Sequence, residues 1–114
     1  KYQKDYDYFF IHFKETDVPG HDNKPLDKVR MIEMIDKGFF GFLSNFATRP
    51  DFRMVVTADH TTSSRLKMHT DKPVPVLFYD SANVKSHDIR FNEVYSKESK
   101  FIVGGKILEK TLLS

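Results

Sequence analysis

Five side chains of the sequence could together bind metal ions, and they lie in two polar segments. They are Asp17, His21, Asp59, His60 and His69. Imidazole and carboxylate groups without thiolates favour zinc, manganese, iron, cobalt or nickel over a calcium ion held by oxygen atoms alone. Any one of these residues taken singly would more often be a loop cap or a surface group. The prediction of a metal site therefore depends on the joint pattern, in which three of the five histidines fall in these segments, each near an aspartate.

The spacing within each segment indicates how the ligands are shared. Asp17 and His21 are four residues apart across a Pro-Gly pair, which can fold the segment so that both side chains point to one centre. Asp59 and His60 are adjacent, and adjacent side chains diverge on an extended backbone. A diverging pair suits two neighbouring ions better than one. Two ions about 3.5–4 Å apart are typical of two-metal phosphoryl chemistry.

The elements that must position these segments follow an α/β order. Apolar runs predict strands at 6–13, 52–58 and 73–79, and periodic patterns predict helices at 26–46, 92–97 and 106–113. A strand, a long helix and a second strand predict a right-handed crossover between parallel strands, and hence an α/β sheet. The two polar segments follow the first and second strands, at the sheet edge where sites form in such folds.

The long helix predicted over 26–46 has an apolar stripe, which we interpret as core. Its members are Leu26, Val29, Ile32, Ile35, Phe39, Phe42, Leu43 and Phe46. Charged residues between them, Lys28 among these, are predicted to face water. Gly38 and Gly41 weaken the second half of the helix, by about 1 kcal/mol each relative to alanine. We therefore expect a kink or a close packing contact there.

Composition excludes several classes of function. The 114 residues carry 18 basic and 16 acidic side chains, a net charge of +2, whereas a nucleic-acid binder needs a clustered basic excess. The longest apolar runs are far shorter than the ~20 residues that span a bilayer. The absence of cysteine excludes disulfides, thiolate zinc sites and cysteine nucleophiles. We therefore expect no nucleic-acid or membrane partner and a cytoplasmic location.

The beginning of the sequence indicates a part of a longer protein. Residue 1 is lysine, and an apolar run follows almost at once. Three strands make a poor free-standing sheet of the α/β type, so we expect the rest of the sheet to lie elsewhere. A small protein that has been processed or trimmed is the alternative.

Three motifs carry a resemblance to a known family. They are Asp17-Val18-Pro19-Gly20-His21, Thr57-Ala58-Asp59-His60, and His69-Thr70-Asp71-Lys72-Pro73-Val74-Pro75-Val76. In this order and spacing they resemble the metal-binding C-terminal part of cofactor-independent phosphoglycerate mutases, which belong to the alkaline phosphatase superfamily. The flanking residues 12–17, 91–93 and 104–106 look like the archaeal-type branch. The resemblance covers nearly the whole chain.

The resemblance implies a fold and a set of ligands. The fold would be a three-layer sandwich with a mostly parallel sheet and flanking helices, of which residues 1–114 form only the C-terminal part. Asp17, His21 and His69 match the ligands of one ion, and Asp59 and His60 match two ligands of the other. The family takes its remaining ligands, an aspartate and the nucleophilic serine, from the first half of the enzyme. That half and the substrate-binding insertion domain have no counterpart in these residues.

The activity that the resemblance implies is the interconversion of 3-phosphoglycerate and 2-phosphoglycerate in glycolysis. Two divalent ions, manganese first and otherwise cobalt, zinc, nickel or magnesium, would activate the serine, which carries the phosphate as phosphoserine. Without that serine and the rest of its chain, these residues would be inactive alone. A homo-oligomer is compatible with the sequence.

Other polar residues near the predicted ligands have less specific interpretations. Lys14 and His12 could neutralise a substrate phosphate, and so could Arg65 or Lys67. The hydroxyl groups of residues 61–64 are predicted to form turns and caps. His87 is interpreted as a surface residue.

Two other functions stay open at this stage. The ligand motifs are shared across the superfamily, so a segment of another two-metal phosphatase or phosphotransferase would carry them too. The archaeal-type flanks favour the mutase. A small metal-binding module without catalytic activity, complete as it stands, is the third hypothesis.

Overall fold

The structure, a computed structural model, describes residues 2, 4–85 and 88–113, with the side chain of residue 113 excepted. His87, interpreted above as a surface residue, lies outside these ranges. The helices are α1 (Asp17–His21), α2 (Pro25–Ile35), α3 (Gly41–Leu43), α4 (Glu93–Ser96) and α5 (Ile107–Leu113). The strands are β1 (Arg53–Val56), β2 (Thr61–Ser63), β3 (Met68–Thr70) and β4 (Leu77–Asp80). Within the described ranges, no helix is long and apolar enough to cross a membrane.

The described strands form two antiparallel pairs. β1 pairs with β4, with Val56 opposite Leu77, and β2 pairs with β3, with Thr62 opposite His69. The mostly parallel sheet expected from the sequence is therefore not what these strands form. The connection between β1 and β4, expected to be a loop, contains the β2–β3 hairpin, and β4 returns beside β1 in the opposite direction.

The apolar run 6–13 is not a strand in the structure, so that prediction is wrong for this chain. Residues 8–13 take part in no helix and no ladder, because no described strand offers its backbone groups a partner. Phe10 is 79% exposed. Phe13 is half-buried, and its ring lies edge-on to Phe39 with centroids 5.0 Å apart.

The long helix is present, but only the second half of its predicted apolar stripe is partly covered, by half-burial of Ile35, Phe39, Leu43 and Phe46. Pro25 opens α2 at the first helical position, where its missing N–H costs no hydrogen bond. Leu26, Val29 and Ile32 of the predicted stripe are exposed. Lys28, predicted to face water, is half-buried, and its Nζ donates to the carbonyl oxygen of Thr62 at 2.9 Å. The reason is that α1 packs against α2 and β2 lies beside Lys28, so the first half of the helix turns Lys28 toward the rest of the chain and leaves Leu26, Val29 and Ile32 uncovered.

The irregularity predicted near Gly38 and Gly41 takes the form of a π-helical turn at Asp36–Phe40, between α2 and α3. No close packing contact accounts for it. A Cβ atom at Gly38 would meet nothing within 4 Å, and one at Gly41 would meet only the carbonyl oxygen of Asp36, at 3.9 Å. Such single π turns occur mostly as bulges inside α-helices.

The strands β1 and β4 and the helices α4 and α5 agree with the sequence apart from their bounds, whereas α1 and the β2–β3 hairpin lie in the two polar segments, where loops were expected. β1 and β4 occupy the predicted apolar segments, and Pro73 and Pro75 precede β4, as their missing N–H groups require. The side chain of Asn92 caps α4 by accepting from two backbone N–H groups. Tyr79 donates its hydroxyl to the carbonyl oxygen of Ala47 at 2.7 Å, which joins β4 to the end of the long helix.

Large apolar side chains of the described residues stay accessible to solvent. None of them is buried, whereas a globular domain normally buries most of its leucine, isoleucine and phenylalanine side chains. The one polar side chain that the described ranges bury is Thr62, at 6% exposure. The surface of α2 and of residues 6–13 is therefore available to further protein.

Candidate metal centre

The short helix α1 brings the first two candidate ligands together. Asp17 and His21 stand four residues apart, on the same face of a helix. His21 Nε2 lies 3.5 Å from Asp17 Oδ1. The two side chains therefore lie together as predicted. A helical turn that includes the Pro-Gly pair brings them together, whereas the sequence suggested a folded loop.

The β2–β3 hairpin adds His69 to this pair. His69 Nε2 lies 2.9 Å from His21 Nε2 and 3.4 Å from Asp17 Oδ1. Two ligand atoms bound at 2.0–2.1 Å to one tetrahedral zinc ion are about 3.4 Å apart. Among the described residues, Asp17, His21 and His69 are the group with the composition and closeness that could hold an ion. We call these three residues the triad.

A backbone contact sets the proton of His21. Its Nδ1 lies 3.2 Å from the carbonyl oxygen of Lys67, which can only accept, so Nδ1 carries the hydrogen. Nε2 then presents its lone pair to the triad, the orientation typical of metal-binding histidines. Lys67 lies in the turn that joins β2 to β3, with a φ of 53°, and it contacts His21 through its main-chain carbonyl oxygen. Its predicted phosphate contact stays a prediction.

The carboxyl group of Asp17 is held in its charged form. The hydrogen bond from the Thr62 hydroxyl lowers the pKa of Asp17 below its usual range. Partial burial opposes this shift, and the imidazoles of His21, His69 and His60 add to it. Metal binding needs a deprotonated carboxylate, and at neutral pH this group supplies one. Lone pairs and a carboxylate at these distances repel one another unless a proton or cation lies between them, so the triad fits a cation.

The second candidate pair, Asp59 and His60, lies beside the triad. The imidazole of His60 stacks on that of His69, with centroids 3.6 Å apart. His60 Nε2 lies 3.3 Å from Asp59 Oδ2, so the predicted divergence of these side chains is wrong. Residues 57–60 are not in a strand, and Asp59 Oδ1 turns back to accept from the His60 N–H at 3.0 Å. The pair offers two ligand atoms, fewer than one ion requires.

The cationic candidates for substrate binding are exposed. The carbonyl oxygen of Lys14 accepts from the Asp17 N–H at 3.1 Å, which places Lys14 directly before α1. Arg65 lies in the turn between β2 and β3, and His12 lies in the run 6–13. Their role in binding a substrate phosphate stays a prediction.

Sequence reasoning missed Thr62. The hydroxyls of residues 61–64 were predicted to form turns, and Ser63 Oγ does accept from Leu66 N–H. Thr62 instead lies on β2, where its Oγ1 is 2.5 Å from Asp17 Oδ1 and 3.2 Å from His60 Nδ1. Residues two apart in extended chain point the same way, so the His60–Thr62 spacing was the available signal.

The chain is similar to known metalloenzymes. A family model described as the metalloenzyme superfamily matches residues 1–114. The chain is 40% identical over 90 residues to the 2,3-bisphosphoglycerate-independent phosphoglycerate mutase of Pyrococcus abyssi, a match that covers 79% of this chain and 22% of the relative. It is 37% identical to 2,3-bisphosphoglycerate-independent phosphoglycerate mutase 2 of Methanocaldococcus jannaschii, with 96% of this chain and 25% of the relative covered.

A third match extends over the whole chain. The 2,3-bisphosphoglycerate-independent phosphoglycerate mutase of Metallosphaera sedula is 31% identical, over 100% of this chain and 27% of the relative. The chain thus spans about a quarter of the length of the curated relatives it matches. No solved structure matches significantly. The resemblance to archaeal mutases of this type is confirmed, and the chain belongs to the metalloenzyme superfamily.

Proposed function

We propose that these residues form the metal-binding C-terminal part of a 2,3-bisphosphoglycerate-independent phosphoglycerate mutase, which interconverts 3-phosphoglycerate and 2-phosphoglycerate. The observation that carries the proposal is the triad, in which α1 and the β2–β3 hairpin bring Asp17, His21 and His69 within 3.5 Å of one another. The names of the matched relatives support the choice of reaction.

The triad is one of two proposed ion sites. Asp59 and His60 supply part of the second, and their contact with the triad through the His60–His69 stack supports two neighbouring ions. Divalent ions there, manganese first, would lower the pKa of an attacking hydroxyl and stabilise negative charge on phosphate oxygens. The residues of this chain would hold the ions and orient the ligand atoms toward them. Asp17 supplies negative charge to the centre, and the backbone contact of His21 fixes its lone pair.

The rest of the active site is proposed to come from chain beyond these 114 residues. This includes the nucleophilic serine, further ligands of the second ion, and the remaining strands of a three-layer α/β sandwich. Two observations support it: the relatives are about four times longer than the matched part, and apolar side chains such as Phe10 and Leu26 lie exposed.

The first prediction concerns Lys14, which we propose binds the substrate phosphate together with His12 and Arg65. Replacing Lys14 by methionine keeps the length of the side chain and removes its charge. In the full translation product of the gene, we expect KM for 3-phosphoglycerate to rise about tenfold, the effect of losing about 1.4 kcal/mol of binding. Steady-state kinetics check this, with Lys37→Met on the helix as control. An unchanged KM would remove Lys14 from the site.

Metal dependence tests the proposed function itself. Stripping the full translation product with a chelator is expected to abolish conversion of 3-phosphoglycerate to 2-phosphoglycerate, and added Mn²⁺ is expected to restore it. Separate additions of cobalt, zinc, nickel and magnesium would rank the ions by the activity that each restores. Full activity in the stripped protein would overturn the proposal.

The same assay separates the other two functions. Release of inorganic phosphate from 3-phosphoglycerate, without 2-phosphoglycerate, would assign a phosphatase of the same superfamily. Stoichiometric metal binding with neither product would assign a non-catalytic module.

A further inference from the structure

Thr62 is buried among the candidate metal ligands without being one of them. It lies in the middle of β2 with 6% of its surface exposed, and it is not a candidate ligand. Its Oγ1 stands between two candidate ligands from different segments, Asp17 on α1 and His60 before β2. A buried polar side chain with two such partners is costly to leave unsatisfied, so its contacts decide how both partners point.

The directions of these hydrogen bonds follow from counting protons. A carboxylate only accepts, so the single hydrogen of the Thr62 hydroxyl goes to Asp17 Oδ1, at 2.5 Å. The oxygen of Thr62 must then accept from His60 Nδ1, at 3.2 Å, so that nitrogen carries the hydrogen. His60 Nε2 is left with its lone pair, and it faces Asp59 Oδ2 at 3.3 Å. One hydroxyl thus orients a ligand of the triad and a ligand of the neighbouring pair.

Two further residues hold Thr62 in place. A Cβ atom at Gly20 would lie 2.8 Å from Thr62 Cγ2, so only glycine lets β2 approach α1 this closely. The ammonium group of Lys28 donates to the carbonyl oxygen of Thr62 at 2.9 Å, which ties β2 to α2. The methyl group packs and the carbonyl is fixed, so the hydroxyl has one direction in which to point.

We propose that Thr62 is a positioning residue for both ion sites, which couples the Asp17 carboxylate to the His60 imidazole through its hydroxyl. The proposal rests on the proposed function, since it assigns Thr62 a role toward the ions of that site. Partners placed behind metal ligands fix ligand orientation and typically contribute 10–100-fold to metal affinity. Thr62 differs from most such partners because it serves ligands of two ions.

Two substitutions at Thr62 separate its hydroxyl from its methyl group. Thr62→Val keeps the shape and removes the hydroxyl, and Thr62→Ser keeps the hydroxyl and removes the methyl group. The full translation product is titrated with Mn²⁺, and free Mn²⁺ is followed by its electron paramagnetic resonance signal. We expect Thr62→Val to weaken both ion-binding steps about 10–100-fold, and Thr62→Ser to bind as the unchanged protein does.

Controls separate positioning from stability. Thr61→Val alters the neighbouring hydroxyl on β2, which lies 3.5 Å from the carbonyl oxygen of Lys72, and is expected to leave Mn²⁺ affinity unchanged. Melting temperatures of the metal-free variants show whether each is folded. Gly20→Ala should reproduce the loss of affinity, because its Cβ displaces Thr62 while every hydroxyl and ligand is retained.

The titration can overturn each part of the proposal separately. Wild-type affinity in Thr62→Val, or equal losses in Thr62→Val and Thr62→Ser, would overturn the positioning role and leave the metal site standing. Loss at one binding step only would reduce Thr62 to a partner of a single ligand and overturn the coupling. If the unchanged protein binds no Mn²⁺, the proposed function fails and this inference fails with it.

Discussion

His69→Ala is expected to abolish mutase activity in the full translation product, with a fall of more than about 100-fold. The nitrogen of His69 lies within 3.5 Å of both other triad atoms, so its removal leaves two ligands from this chain. Replacing a partner that only stands behind a metal ligand costs roughly 10–100-fold, and removal of a ligand should exceed this. His69 also stacks on His60, so the second site loses its neighbour as well.

The measurement combines kinetics with metal content. Activity is assayed in buffer with excess Mn²⁺, and bound metal is determined after gel filtration. Asp17→Asn should behave like His69→Ala, because the amide keeps the shape of the carboxylate and removes its charge. Full activity of His69→Ala in metal-replete buffer would contradict the ligand assignment.

Matched controls test whether position matters more than residue type. Met68→Ala changes the exposed neighbour of His69 on β3, and Asp27→Asn changes an exposed aspartate of α2 that pairs with Arg30. Both are expected to retain activity and metal. If Asp27→Asn lost as much activity as Asp17→Asn, the loss would reflect general charge and not ligation.

The structure brings the candidate ligands Asp17, His21 and His69 together as expected, whereas the first predicted strand is absent, and the difference has a physical reason. Metal ligands are a chemical pattern of side chains, and the resemblance needed only their order and spacing to identify Asp17, His21 and His69. Strand pairing needs a partner, and the run 6–13 has none among the described residues, so its apolar character does not produce a strand.

Two wrong predictions of side-chain direction have a common cause. Both follow from local periodicity, whereas tertiary contacts decide where these side chains point. The helical period predicts that Lys28 faces solvent, but α1 and β2 lie on that side and the carbonyl oxygen of Thr62 accepts from its ammonium group. Adjacent side chains diverge in a strand, which predicts that Asp59 and His60 diverge, but the chain bends at Asp59 before β2 begins.

The 114-residue chain alone is expected to produce no 2-phosphoglycerate from 3-phosphoglycerate, under conditions in which the full translation product is active. The hydroxyl nearest to the triad belongs to Thr62, which is buried and donates its proton to Asp17, so it cannot attack a substrate. Mn²⁺ should also bind more weakly to this chain, because the Asp59–His60 pair lacks its further ligands and affinity depends on a complete ligand set.

The control for this experiment is the same chain with Asp17→Asn. Trace activity that persists in the variant comes from a contaminating host enzyme, whereas activity that the substitution removes would refute the missing-nucleophile argument. Addition of the remaining part of the protein as a separate polypeptide is expected to restore turnover. The exposed faces of α2 and of residues 6–13 give that part an apolar surface to cover. Restoration should fail when the added part lacks its serine, since binding would then complete the fold and the ion sites but not the nucleophile.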